Sequence, residues 1–254
     1  MRKVLLTCLS LLPLCSYADL GPKRAETGKV EVKENKPYRL DADLSYLLNS
    51  SKSDGNSTTK ENLAAHVLFQ RQAGVWGQEV RAEAVSANDD GNSGNNVERY
   101  MLSGKLLHRS SDTIYQYVKL QGDKDLSSSL DYQVALTGGL GIDLIKTDWQ
   151  ELTAEAGAGY RYSKDRYAPF DDHNELIGTV GLYYMYKFNE RVKFNQDLAY
   201  EYGDSSQIFR SRSSLSASLT DSISGLVSYQ IKDTQADSGN SRDSLVTVGA
   251  KYSY

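Results

Sequence analysis

The sequence predicts an all-β protein, a transmembrane antiparallel up-and-down β-barrel of about 12 strands. Three observations predict it. Apolar and polar residues alternate with period two over segments of about eleven to sixteen residues, longer than the roughly 5 to 6 of an average soluble strand. A bilayer-spanning strand needs roughly 9 to 11. The polar breaks between segments alternate between long and short, which is how barrels with outer loops and tight inner turns read in sequence. Many of the 18 tyrosines stand at segment ends, where an apolar ring and a wet hydroxyl suit the lipid–water boundary.

The chain opens with Arg2 and Lys3, an apolar run from Val4 to Leu14, and Ser16-Tyr17-Ala18. These are the three parts of a cleaved secretory signal, expected to end after Ala18, and the run is too short for a membrane-spanning helix. Both cysteines, Cys8 and Cys15, fall within it, so the expected mature chain offers no disulfide and no thiolate metal ligand. Residues 19–37, polar and rich in Lys and Glu, read as a short periplasmic tail. The barrel is expected over 38–254.

From Tyr38 the predicted strands are 38–48, 61–71, 75–87, 97–108, 112–122, 129–144, 149–162, 174–188, 191–203, 207–219, 222–233 and 243–254. In the first, Leu40, Ala42, Leu44, Tyr46 and Leu48 oppose Arg39, Asp41, Asp43 and Ser45. In the third, Trp76, Val80, Ala82 and Ala84 oppose Glu79, Arg81 and Glu83. The fifth, around Tyr115 and Tyr117, leaves its facing open. In the sixth, Leu130, Tyr132, Val134, Leu136, Leu140, Ile142 and Leu144 share the lipid parity. The ninth sets Val192, Phe194, Leu198, Tyr200 and Tyr202 against Lys193, Asp197 and Glu201.

Long polar connections are expected at 49–60, 88–96, 163–173 and 233–242, and tight turns at 72–74, 109–111, 145–148, 189–190 and 220–221. With a periplasmic N-terminus and an even strand number, the long ones lie outside. The last strand ends SLVTVGAKYSY, with Val248, Ala250, Tyr252 and Tyr254 on one parity. That apolar, aromatic-ended face is read as the signal to the barrel-assembly machinery. A soluble periplasmic β-sandwich shares the alternation and is the alternative fold.

Without the signal the chain carries 27 basic and 33 acidic residues, a net charge of −6, and no basic stripe for nucleic acid. Mean hydropathy is −0.52, which is no argument against a barrel, because every second strand residue avoids lipid. The inward faces carry both signs. The candidate lumen-lining residues are Arg81, Arg99, Arg161, Arg210 and Arg212 against Glu79, Glu83, Glu155 and Glu201, with Lys105, Lys193 and Glu151 on the same faces. Arg210 and Arg212, two apart, point the same way and could form an anion-attracting rung. The expected reading is the simpler one, that they neutralise Glu201 or Asp197 on the neighbouring strand.

Nothing in the sequence assembles an active site. Only His66, His108 and His173 supply imidazole, and no short spacing joins one of them to a serine and an orienting carboxylate. Asp171, Asp172 and His173 read as loop composition, so no metal and no cofactor is expected.

The stretch GGLGIDLIKTDWQELTAEAGAGYRYSKD, with the later GLYYMYKF, resembles the YdiY-like, salt-induced outer membrane protein family, a family of unknown function. The matching residues are Gly139, Gly141, Glu155, Gly157, Gly159, Tyr160 and Arg161. The resemblance implies an outer-membrane location and a link to salt or acid stress, and brings no catalytic residues. Gly157 and Gly159 share the inward parity, where they leave room for a larger side chain from the next strand.

The expected function is therefore a narrow channel or structural envelope protein without enzymatic activity. A porin for acidic oligosaccharides is the alternative, requiring a basic track through the lumen, and a barrel hydrolase is a third. The expected partners are outer-membrane lipid, the assembly machinery and a small solute.

Overall fold

The computed structural model describes residues 38–253, apart from 54–55, 90–96, 127–129, 168–171 and 238. The expected signal at 1–18, the tail at 19–37 and Tyr254 lie outside the described residues. Twelve strands follow one another: β1 Tyr38–Ser53, β2 Asn56–Ala73, β3 Trp76–Asp89, β4 Val97–Arg109, β5 Ile114–Asp125, β6 Leu130–Lys146, β7 Gln150–Asp165, β8 Asp172–Lys187, β9 Val192–Gly203, β10 Ser206–Ser218, β11 Ile223–Ala236 and β12 Gly239–Ser253. Each pairs antiparallel with its neighbours in sequence, and β1 pairs with β12 to close the ring. Closure leaves no edge strand, so backbone N–H and C=O groups are paired all round.

The alternation sorts the two faces. Leu44, Leu102, Leu140 and Val180 stay more than half exposed on the outside, whereas Asp43, Arg99, Glu155 and Glu175 on the inside are nearly covered. A polar interior and an apolar exterior reverse the arrangement of a water-soluble protein. This arrangement excludes the soluble sandwich. Among the described residues no helix is long and apolar enough to cross a membrane.

The tight ends are held by local side chains. Gly74 takes the positive φ of 60° that turns β2 into β3. Between β8 and β9, Asn189 Oδ1 accepts from the backbone N–H of both Arg191 and Val192, each at 2.9 Å. Ser111, Thr147 and Thr220 hydroxyls accept the N–H of Ile114, Gln150 and Ile223, each at 3.0 Å. The closing seam is bridged by Lys251 Nζ on Asp41 Oδ2 at 3.0 Å.

At this end the outward aromatics cluster: Trp76 packs on His108 with ring centres 4.6 Å apart, Trp149 on Tyr186 at 5.6 Å, and Tyr186 on Phe188 at 4.9 Å. At the other end Tyr132 lies against Tyr162 at 5.8 Å. Of the tyrosines near strand ends, Tyr46, Tyr100, Tyr202 and Tyr252 are exposed on the outer face.

Three features differ from the sequence reading. The connections expected at 49–60 and 233–242 are mostly strand: β1 and β2 stay in register from Asn49↔Lys60 to Ser53↔Asn56, and β11 and β12 from Asp233↔Arg242 to Ala236↔Gly239. Polar residues pair by their backbones as well as apolar ones do, so composition marks where the apolar face ends and not where pairing ends. Leu130, expected on the lipid parity, is buried inside at 6% exposure, because a register shift between Leu130 and Tyr132 flips its side. The open facing of β5 resolves inward for Tyr115 and Tyr117, 0% and 6% exposed.

Candidate functional site

The candidate site is the lumen. Among the described residues, ten buried carboxylates face it, against six buried Lys and Arg side chains. Half-buried Arg39, Arg109, Lys187, Lys193 and Lys251 gather at the strand ends on the tight-turn side and bring the lining back toward balance.

The nine candidate Arg and Glu residues are buried inside and most meet an opposite charge, whereas Lys193 and Glu151 are half-buried. Arg161, on β7, is 1% exposed. Its Nε and Nη2 donate to Glu175 Oε1 at 2.9 and 2.7 Å, its Nη1 to Glu201 Oε2 at 3.3 Å, and its Nη2 also to the Ser206 carbonyl and hydroxyl at 2.9 and 2.6 Å. Glu201 in turn accepts from Arg210 Nη1. One guanidinium thus joins β7, β8, β9 and β10. Gly203 makes this possible, since a Cβ there would lie 2.3 Å from Glu175 Oε2.

Nearer the tight turns, Lys105 Nζ donates to Glu155 Oε1 at 2.5 Å, and the Tyr115 hydroxyl donates to the same oxygen. Lys105 also stands 4.4 Å over the Tyr117 ring, a cation–π contact. The tyrosines lie on a glycine floor. A Cβ on Gly141 would fall 2.1 Å from Tyr115 Cζ, and one on Gly139 or Gly157 within 2.9 and 2.7 Å of the Tyr117 hydroxyl. Glu79 accepts from Gln70 Nε2 at 3.0 Å and from Arg81 Nη2 at 3.2 Å.

Lys232 on β11 reaches Asp125 Oδ2 on β5 at 3.3 Å. The two strands are six places apart in a ring of twelve, so this pair spans the lumen from wall to wall. Arg99 is the cross-strand partner of Asp125, which places a second cation at the same level.

Arg212 behaves differently from Arg210. It faces Asp197 in register, yet its Nε and Nη1 are buried without a hydrogen-bond partner. Asp43, Glu83 and Asp197 act on it through space. His66 Nδ1 lies 2.6 Å from Asp43 Oδ1 and its Nε2 4.0 Å from Glu83 Oε2. Among the described residues no serine hydroxyl bonds to His66, and no group of three or more His, Cys, Asp or Glu is placed to hold a metal ion. His173 bonds Asp165 at 3.0 Å.

Sequence reasoning passed over Glu175, Asp125 and Lys232. Glu175 was findable, because it is the direct cross-strand partner of Arg161 in the β7–β8 hairpin. The Lys232–Asp125 contact leaves no local trace, since 107 residues separate the two.

The model of a family described as "Protein of unknown function, DUF481" matches residues 38–254. No curated protein matches the chain. Among solved structures, the translocator domain of the autotransporter NalP from Neisseria meningitidis is 11% identical with a TM-score of 0.49, covering 86% of this chain and 89% of its own. The KdgM porin in complex with disordered oligogalacturonate is 13% identical with a TM-score of 0.46, covering 85% and 99%. The NanC porin is 14% identical with a TM-score of 0.46, covering 84% and 97%.

Proposed function

The chain belongs to the DUF481 family, the family its glycine and tyrosine motifs resemble, and from the barrel's own geometry we propose that it is a narrow outer-membrane channel for small ions. The observation that carries this reading is the Lys232–Asp125 pair, which crosses the lumen at 3.3 Å. Side chains that meet from opposite walls limit passage to small hydrated ions. The carboxylate excess in the buried section favours cations, and the basic residues at the tight-turn mouth keep that preference weak.

The lining argues against a path for acidic oligosaccharides. Arg81, Lys105, Arg161 and Arg210 are each bonded to a carboxylate, which interrupts any basic track among the described residues. The non-enzymatic reading rests on the absence, among the described residues, of a serine hydroxyl bonded to His66. A cleaved signal, outer-membrane location and a role in salt or acid stress complete the proposal. The apolar outer face supports the location, and the resemblance supports the stress role.

Purified, refolded protein in planar bilayers in KCl tests the reading. The expected result is small, stable conductance steps with a weak cation preference. Large anion-selective steps, or insertion without conductance, would overturn it.

A further inference from the structure

The outer face carries a groove of about 530 Å³ running toward the rim opposite the tight turns. Its floor is Ala65, Ala82, Ala84 and Gly122, and Leu102 and Val134 stand beside it. A Cβ added to Gly122 would meet nothing within 4 Å, so the groove is open there. At its head one row of residues crosses the sheet: Tyr100, Lys124, Tyr132 and Lys164 are successive cross-strand partners on β4, β5, β6 and β7.

Lys124 is exposed and Lys164 half-buried, and neither has an ion pair or side-chain hydrogen bond among the described residues. Asp172 faces Lys164 in register without forming an ion pair. Glu98 is taken by the Tyr100 hydroxyl at 2.6 Å. Two ammonium groups without an ion pair among the described residues thus flank Tyr132, directly above an apolar groove. The second outer groove, of about 590 Å³ over Ala154 and Ala156, has no basic residue in its lining.

We propose that this groove binds a phosphorylated glycolipid of the outer leaflet, one acyl chain on the alanine floor and a phosphate between Lys124 and Lys164. Charge complementarity selects the headgroup, because a phosphate presents several acceptor oxygens to two point charges. Small floor residues let an alkyl chain approach the sheet closely enough for dispersion contact along its length. The proposal rests on the reading that this rim meets the outer leaflet. That orientation is tested separately, by labelling an Asp237→Cys variant from outside intact cells.

The binding test is native mass spectrometry of the detergent-solubilised, folded barrel. The probes are a multiply acylated diphosphoryl glucosamine disaccharide, its dephosphorylated form, and phosphatidylglycerol. The phosphorylated glycolipid is expected to stay bound in preference to the other two. The Lys124→Gln/Lys164→Gln pair should lower its retention about thirtyfold, from about fivefold for each charge lost. Gly122→Leu should lower it without changing charge, and heat-modifiable migration in gels confirms that each variant is folded. Equal retention of the dephosphorylated form, or of the phosphorylated form by the double variant, overturns the site. Tighter retention of phosphatidylglycerol overturns the choice of glycolipid. None of these outcomes depends on whether ions pass through the lumen.

Discussion

Lys232 Nζ and Asp125 Oδ2 stand 3.3 Å apart across the full width of the barrel, joining β11 to β5. A wall-to-wall contact of this kind acts on two properties together. It resists distortion of the ring, and it narrows the lumen.

Breaking that contact should widen the path. Lys232→Gln and Asp125→Asn are each expected to raise single-channel conductance, and together to raise it by less than the sum of the separate changes. Urea unfolding of the same set should give a coupling energy of about 0.5–3 kcal/mol, the usual range for groups in contact. Additive effects on both readouts would show that the pair is not coupled.

Arg161 is the second test. Arg161→Gln leaves Glu175 and Glu201 facing each other without the guanidinium that bonds both, and should destabilise the barrel by about 3 kcal/mol. Arg161→Lys should recover little of this, because a single ammonium cannot reproduce the fork. The check is the urea midpoint in lipid vesicles, with full recovery by lysine as the contrary outcome.

The glycine floor predicts a contrast between two alanine substitutions. Gly141→Ala places a methyl 2.1 Å from Tyr115 Cζ and should cost about 1–3 kcal/mol through overpacking. Gly178→Ala, where a methyl meets nothing within 4 Å, should leave stability unchanged or slightly raised. Adding Tyr115→Leu to Gly141→Ala should restore part of the loss. Equal effects at the two glycines would remove the packing explanation.

The outer face predicts a depth-dependent penalty. Leu102, 61% exposed on β4, should lose about 2–4 kcal/mol as Leu102→Arg if it faces the middle of the bilayer. Refolding yield into vesicles measures it. An arginine tolerated there without loss would contradict a lipid-facing position.

Selectivity gives the last test. Removing a buried positive charge by Arg212→Gln should shift the reversal potential in a KCl gradient further toward cations, and Glu83→Gln should shift it the other way. Arg212 Nε and Nη1 have no hydrogen-bond partner, whereas all three Arg161 nitrogens are bonded, so loss of Arg212 should cost less stability than loss of Arg161. A shift toward anions in Arg212→Gln would contradict the assignment of that side chain to the ion path.

Much of this protein is determined within short stretches of its sequence. Period-two alternation decides that Arg81 and Glu83 point one way and Ala82 the other, and Gly74 and Asn189 mark their turns. From such units the barrel, its twelve strands and its charged interior are all legible. So is the Arg210–Glu201 pairing, because those residues belong to adjacent strands. Only the tertiary structure decided the rest. Leu130 turns inward because its register against β7 shifts by one residue. The tyrosines of β5 settle inward because the glycines of β6 and β7 leave space for their rings. Lys232 finds Asp125 because closing the ring brings β11 opposite β5. Alternation is a property of one strand and hairpin pairing of two, but what meets across the lumen depends on closure of all twelve, and no local pattern encodes it.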